Sequence, residues 1–502
     1  MTSAGNEPDS AGRRAVRIAV RIIAVGVAGL LLRGAAGPEP VWWLAWTAPA
    51  LFLCLALKPR APDARWMTLG AALIGAGANL QYFTIVTRSP PLAIVMVTGM
   101  ALLWTLAAGV TRRAVLSRRS AWALFAYPAA WAAIHTLMAT LAPDGDWGLI
   151  GYSQGDLPLV LQIAALGGVA AVAFLVSLPA AAVATAFTLA DSGDGLRRGW
   201  MAYVAAAVLG LAATGYGAAR LARPVTGQAV VFGMMAVDAD IGPQAASAYV
   251  APIRDRYLAG VRSLAGAGAE VIVLPEKIAV GDPGRIGAWR AALAGAARDD
   301  GVWVEAGLAI TDPGGIRNMA YLYAPDGREA AAYRKHFMAP PERAEGYSPG
   351  TGYAVTPVGG ARYGLAVCKD MHFARLARAY GQREAAVLLV PAWDFGHIDQ
   401  WMGARMTAMR GVEQGFAVVR TSKEGLLSVS DSRGRVLAEA PSAAGAGRSL
   451  LATLTVEPRQ PTLYGRTGDL FGWLCLVLAA GMVFPWPRRR EPRAVTDRAR
   501  VA

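Results

Sequence analysis

The sequence predicts a helical membrane base carrying one α/β domain. Of 502 residues, 55% are hydrophobic and only 17% charged, and the mean hydropathy is +0.36. Long apolar runs fill roughly the first 220 residues and return once near the end, whereas the stretch between alternates short apolar runs with polar ones. A soluble chain of this length carries less apolar and more charged sequence, so much of this one belongs in lipid. The net charge of +14 does not indicate nucleic acid, because the arginines gather at the ends of apolar runs instead of forming a basic face interleaved with aromatics.

A transmembrane helix needs about 20 mostly apolar residues. Spans are expected near 15–32, 41–57, 66–87, 91–111, 120–141, 158–190, 200–218 and 468–485. The first also fits a cleaved signal peptide, with Arg13, Arg14 and Arg17 before it and Gly34, Ala35 and Ala36 after it, but a multispanning chain needs no separate signal and a retained span is the reading adopted. The sixth run is long enough to tilt or to extend beyond the bilayer. Positive charge in short loops favours the cytoplasm. Arg13, Arg14 and Arg17 precede span one, Lys58, Arg60 and Arg65 follow span two, Arg112, Arg113, Arg118 and Arg119 follow span four, and Arg197 and Arg198 follow span six. The alternate loops hold Arg33, then Arg88, then the acidic stretch from Asp144 to Asp156. Both termini are therefore expected in the cytoplasm, Arg488, Arg489, Arg490 and Arg493 agreeing, with the α/β domain on the other side. Trp42, Trp43, Trp66, Trp147 and Trp473 near span ends suit an interfacial belt, and His135 in span five suits a bond to a neighbouring helix.

Expected domain limits are 1–220 for the first spans, 225–464 for the α/β domain and 465–502 for the last span and basic tail. Within the domain, residues 271–275, 302–310, 363–368, 386–391, 416–421 and 426–430 read as strands. Ala246–Leu264, Ile286–Arg298, Phe373–Arg383 and Gln400–Gln414 read as helices. Such alternation indicates a single α/β domain.

Reactive groups in such domains lie beyond the carboxyl ends of strands. Glu276 follows VIVLP, Cys368 closes YGLAVC, and Lys335 follows AAAYR. A carboxylate that takes a thiol proton, a thiolate that attacks a carbonyl and an ammonium that stabilises the oxyanion form a complete device. The backbone N–H of Lys369 adds a donor if a helix begins there. Cys54 and Cys475 lie in apolar runs, so the domain has no second cysteine for an internal disulfide. No cofactor is expected and no metal: His336, His372 and His397 lack ligand spacing, and no P-loop occurs. Lys277 reads equally as a solvated charge or an active-site neighbour.

LPEKIAV, YRKHFMAP and GLAVCKDMHF resemble the Glu, Lys and Cys blocks of the nitrilase superfamily. The stretch from VPAWDFGHIDQW to RTSKEGLLSVSDSRGRV resembles the block that follows. With GYSQGDLPLVLQIAALGGVAAVAFLV before the domain and TLYGRTGDLFGWLCLVL after it, the whole chain resembles the bacterial apolipoprotein N-acyltransferase family. The resemblance implies a four-layer α-β-β-α nitrilase-like sandwich on an eight-span base. It implies acyl transfer from a phospholipid, through a Cys thioester, to the N-terminal amine of a diacylglyceryl lipoprotein, with Cys368 as nucleophile, Glu276 as general base and Lys335 as oxyanion donor. It also implies a second carboxylate, matched by Glu342 or by Glu345. The chain departs from the family at Lys369 and Asp370, where an aromatic and a Glu usually follow the Cys, and its opening strand VVFGMMAVDADIG lacks the expected polar Gln-Gly-Asn run. Substrate selection is the property these departures are expected to alter. A membrane-tethered hydrolase using the same Cys, and a silent scaffold, remain as alternatives.

Overall fold

The computed structural model describes residues 10–58, 61–118, 120–190, 195–242 and 245–484. Arg60, Arg119 and the C-terminal arginines, on which the expected topology partly rests, lie outside them. Among the described residues, six helices are long and apolar enough to cross a membrane, within Gly12–Ala35, Asp63–Thr87, Pro90–Ser117, Ala121–Leu141, Ala164–Ala190 and Gly199–Leu221. The other two expected spans are shorter apolar helices, Trp42–Ala56 and Leu470–Val483. At 1.5 Å per residue the latter is only about 21 Å long.

The sixth span differs from expectation. A short helix at Pro158–Leu161 is followed by Ala164–Ala190, in which Gly167 and Gly168 leave helical geometry, Gly168 with φ 67°. The Glu413 carboxylate accepts the N–H of Val169 at 2.9 Å, so a side chain from the α/β domain caps the helix that restarts there. Neighbouring polar groups complete a buried joint. Asp146 accepts from His135 Nδ1 at 3.0 Å and from the Tyr152 hydroxyl at 2.8 Å, while Arg410 contacts Tyr152, Glu413 and the Met371 carbonyl. His135 thus holds the loop after its own helix.

The strands are β1 (Gln228–Ala236), β2 (Val271–Val273), β3 (Ala279–Gly281), β4 (Trp303–Asp312), β5 (Gly315–Tyr323), β6 (Glu329–Arg334), β7 (Ala354–Val358), β8 (Ala361–Leu365), β9 (Val387–Trp393), β10 (Ala417–Lys423), β11 (Leu426–Ser430), β12 (Val436–Pro441) and β13 (Arg448–Val456). One sheet runs β13-β1-β2-β4-β5-β6 with β3 beside β4, and the other runs β12-β11-β10-β9-β8-β7. Period-two alternation assigns the faces. Val271 and Val273 enter the core between the sheets with Phe232, Leu388 and Val418. Ile272 points outward with Val304 and Ala306, against Tyr257, Val261, Ile286 and Trp289 of the helices Ser247–Gly266 and Pro283–Asp300.

The fourth layer is the helices Ala374–Gln382 and Gln400–Gln414. In the second of these, every residue from Trp401 to Gln414 is buried. The reason is that Trp401, Met402, Met406 and Met409 pack in one core with the membrane helices. The α/β domain therefore sits on the base through a layer that is solvent-facing in a free-standing sandwich. Trp401 Nε1 donates to Asp156 at 2.7 Å from the loop after span five, reinforcing that seat.

Candidate active site

The three expected residues meet where the two sheets open toward the base. Lys335 directly follows β6 and stays paired with β5, its N–H donating to the Asn318 carbonyl at 3.0 Å. Glu276 follows β2 through Leu274 and Pro275. Its N–H reaches the Ala392 carbonyl of β9 at 3.3 Å, and the next residue of β9, Trp393, presents its carbonyl to the Cys368 thiol at 3.5 Å. The end of β9 thus anchors the Glu276 backbone and the Cys368 thiol at adjacent carbonyls. Gly307 allows the close approach, since a Cβ there would stand 2.6 Å from the Glu276 Cα.

Cys368 does not close its strand as expected. β8 ends at Leu365, and Cys368 opens a 3-10 turn, Cys368–His372, with φ 45°. A non-glycine residue in this left-handed region costs on the order of 1–3 kcal/mol and persists only where its surroundings enforce it. Asp370 is the enforcing group. Fully buried, it accepts the N–H of Val367 at 3.0 Å, of His336 at 3.1 Å and of Phe337 at 2.9 Å, and the Tyr333 hydroxyl at 2.8 Å. One carboxylate therefore locks the nucleophile turn to the segment that follows Lys335. Burial pushes the Asp370 pKa up to about 6, with Lys335 and the N–H donors opposing. Lys277 and Glu424 have φ of 50° and 48° and border the same cavity. Such left-handed residues leave no mark in a sequence.

Lys335 is 1% exposed and its Nζ lies 2.7 Å from both Glu276 Oε1 and Glu342 Oε2. Burial lowers its pKa, but Glu276 and Glu342 outweigh burial and hold it well above the usual ammonium range. Burial raises the Glu342 pKa, but Lys335 and Lys277 together hold it well below the usual carboxylate range. Between the two open readings, the geometry sets Glu342 on Lys335, while Glu345 borders the same cavity but is exposed beside Arg88 at 3.4 Å. Lys277, 3.2 Å from Glu342, is an active-site neighbour. Burial, with Glu276 adding to it, pushes the Cys368 thiol up against the opposing effect of Lys335, so at neutral pH it keeps its proton until a base removes it.

Asn318 was not singled out from the sequence. Fully buried, it donates through Nδ2 to Glu276 at 2.5 Å and to Glu342 at 2.7 Å. Only the amide nitrogen can face two carboxylates, which fixes its orientation. Lys369 and Asp370 were treated as a pair, but the structure divides them. Lys369 borders the cavity and its Nζ lies 2.8 Å from Asp144, a carboxylate shared with Arg343 at 3.0 Å. Asp370 faces only backbone and Tyr333. Accordingly, Lys369→Tyr is expected to change KM for the acyl donor while acyl-enzyme formation stays measurable. Asp370→Ala leaves several buried donors unpaired and is expected to slow acyl-enzyme formation at least about tenfold, since loss of geometry at a distance is costly. Rapid-quench mass measurements on both variants check this, and equal effects would contradict it.

The cavity has a volume of about 680 Å³. Glu276, Lys335, Cys368 and Trp393 line it from the α/β domain, and Ile85 and Arg88 from the end of the membrane helix Leu80–Thr87. The cavity is thus walled by the α/β domain on one side and by the helical base on the other. His336 is bonded to the Gly352 carbonyl and His397 to Gln400.

Comparison with known proteins agrees with this architecture. Residues 28–183 match the apolipoprotein N-acyltransferase N-terminal domain, and residues 242–457 match the carbon-nitrogen hydrolase family. An apolipoprotein N-acyltransferase of Geobacter metallireducens is 26% identical over 489 residues, covering 88% of this chain and 90% of that protein. An (R)-stereoselective amidase of a Pseudomonas species is 32% identical over 157 residues, covering 29% of this chain and 56% of the amidase. The crystal structure of an amidase from a Nesterenkonia species, 22% identical, covers 46% of this chain and 93% of its own at a TM-score of 0.39. Both domains are thus present in this order on one multi-pass membrane chain, which is similar through both of them to an apolipoprotein N-acyltransferase.

Proposed function

We propose that the protein moves a fatty acyl chain from a phospholipid to the N-terminal amine of a diacylglyceryl-modified lipoprotein, through a thioester on Cys368. The observation that carries this reading is a buried Glu276–Lys335 pair beside a half-buried Cys368, on a cavity walled partly by the membrane base. Glu276 takes the thiol proton as the sulfur attacks the ester carbonyl, and Lys335 stabilises the oxyanion. The C–O bond breaks, the lysophospholipid leaves with the proton returned by Glu276, and a thioester remains. The acceptor amine then attacks that thioester, the C–S bond breaks, and the amine proton passes through Glu276 to the departing thiolate. Glu342 and Asn318 hold Lys335 and Glu276 in register throughout.

The test is acyl transfer to a diacylglyceryl peptide with a free N-terminal amine, beside the same peptide N-acetylated, counting N-acyl product and free fatty acid separately. Product with the first peptide alone supports the transferase. Free fatty acid dominating at saturating acceptor replaces it with a membrane-tethered hydrolase.

In topology, we propose that domain limits of 1–220, 225–464 and 465–502 go with cytoplasmic termini and an extracytoplasmic catalytic domain, as the Arg-rich loops favour. Reporter fusions near Arg298 and at the C-terminus are expected to report opposite sides. The same side from both contradicts the eight-helix arrangement.

A further inference from the structure

At the end of the base remote from the catalytic cavity, the helices Trp42–Ala56, Ala61–Ala76 and Pro90–Arg118 enclose an open cleft of about 1050 Å³. Leu102 and Leu106, both exposed, line its apolar part, and Arg65, Arg112 and Arg113 border it. No carboxylate occurs among the described residues that line it. Arg112 donates to the carbonyls of Ala56 and Lys58, which makes it part of the wall. Arg65 and Arg113 are exposed.

Helix geometry sets the depth. Arg88 borders the catalytic cavity, and at 1.5 Å per residue Arg113 lies about 38 Å farther along the chain axis, beyond the roughly 30 Å hydrocarbon core. The three arginines therefore lie at the opposite interface. From Leu102 to Arg113 is about 17 Å, close to half that core plus the start of the headgroup layer. The cleft is thus one leaflet deep, apolar inside and cationic at the water boundary. A Cβ at Gly109 would meet nothing within 4 Å, so the glycine opens its wall.

We propose that this cleft binds one anionic phospholipid from the leaflet opposite the catalytic domain, with an acyl chain along Leu102 and Leu106 and the phosphate between Arg65 and Arg113. Charge selects the headgroup: the guanidinium groups of Arg65 and Arg113, with no carboxylate among the described lining residues, favour a net anionic lipid over a zwitterionic one. The site is separate from the acyl-transfer cavity and does not depend on the reaction proposed there.

The experiment is native mass spectrometry of the full chain in neutral detergent with ether-linked phosphatidylglycerol or phosphatidylcholine of the same chains, neither of which offers an ester to Cys368. One phosphatidylglycerol is expected to be retained at least about fivefold over phosphatidylcholine, with a loss of about fivefold in Arg113→Gln. Gly109→Leu, which fills the cleft and keeps every charge, is expected to abolish that preference. Lipid in the catalytic cavity is common to all three proteins, and thermal unfolding close to wild type reports that the variants are folded. Equal retention of the two lipids, retention of neither, or phosphatidylglycerol binding unchanged by Gly109→Leu overturns the proposal.

Discussion

Replacing Cys368 with alanine is expected to abolish acyl-enzyme formation and to lower turnover at least about a hundredfold, the scale on which removal of a principal catalytic group acts. The expectation follows from the mechanism, in which no other described cysteine borders the cavity. The fold is expected to survive. Alanine occupies a left-handed backbone position no worse than cysteine, and the bonds that hold the turn belong to Asp370, not to the thiol. Thermal unfolding close to wild type, alongside absent turnover, is the expected pair of results. Cys368→Ser keeps a nucleophile of the right size and is expected to retain a trace of activity. Near-normal turnover by Cys368→Ala would return that residue to the role of a small buried hydrophobe.

The second large effect is expected from Lys335→Met, and it has two parts. Activity falls at least about a hundredfold because the oxyanion loses its ammonium donor. Stability falls by about 3–5 kcal/mol, the cost of removing one partner from a buried ion pair, because Glu276 and Glu342 are left facing each other with Asn318, Lys277 and the Ala339 N–H to answer them. The stability loss carries a pH signature. In the wild type Glu342 is held below its ordinary range, so its contribution is present above the unfolded carboxylate pKa and is lost as pH falls through the folded value. In the variant Glu342 loses the ammonium that held it low, so it titrates upward and protonation relieves it. The Tm difference between wild type and Lys335→Met is therefore expected to narrow as pH is lowered from about 7 toward about 4. A difference that widens contradicts the assignment of Lys335 as the shared counter-ion.

Glu276, Lys335 and Cys368 were legible because each stands just beyond a run of apolar residues, and in α/β domains that position is where chemistry collects. Gln400–Gln414 was legible to the residue, its start and Gly415 stop both written locally. What escaped depends on partners distant in sequence. Asn318 sits in GIRNMAYLY, where it and its neighbour Arg317 read as an exposed polar pair, and its position at the site arises only when β5 pairs with β6 and sets it beside Lys335. The break at Gly167 and Gly168 hides inside an apolar run, because the group that caps the restarted helix, Glu413, comes from the other domain. The edge strands β7, β12 and β13 carry alternating or exposed patterns that differ from the buried runs used to find the others. Cys368 was expected on a strand because its apolar predecessors Ala366 and Val367 continue the pattern of β8. The chain leaves the ladder there to follow Asp370 into the turn.

The most direct test of the acyl-transfer account is the intact mass of the purified protein over time after exposure to phospholipid, before and after an amine acceptor is added. A thioester shielded in a cavity at the bilayer surface should outlast its encounter with water. The account predicts one fatty-acyl mass addition, mapped to Cys368, stable without acceptor and discharged when a diacylglyceryl peptide with a free N-terminal amine arrives, in a two-step ping-pong sequence. An adduct that never forms with any phospholipid, while a soluble amide is cleaved by the same Cys368, contradicts it and leaves a nitrilase fold with a different substrate.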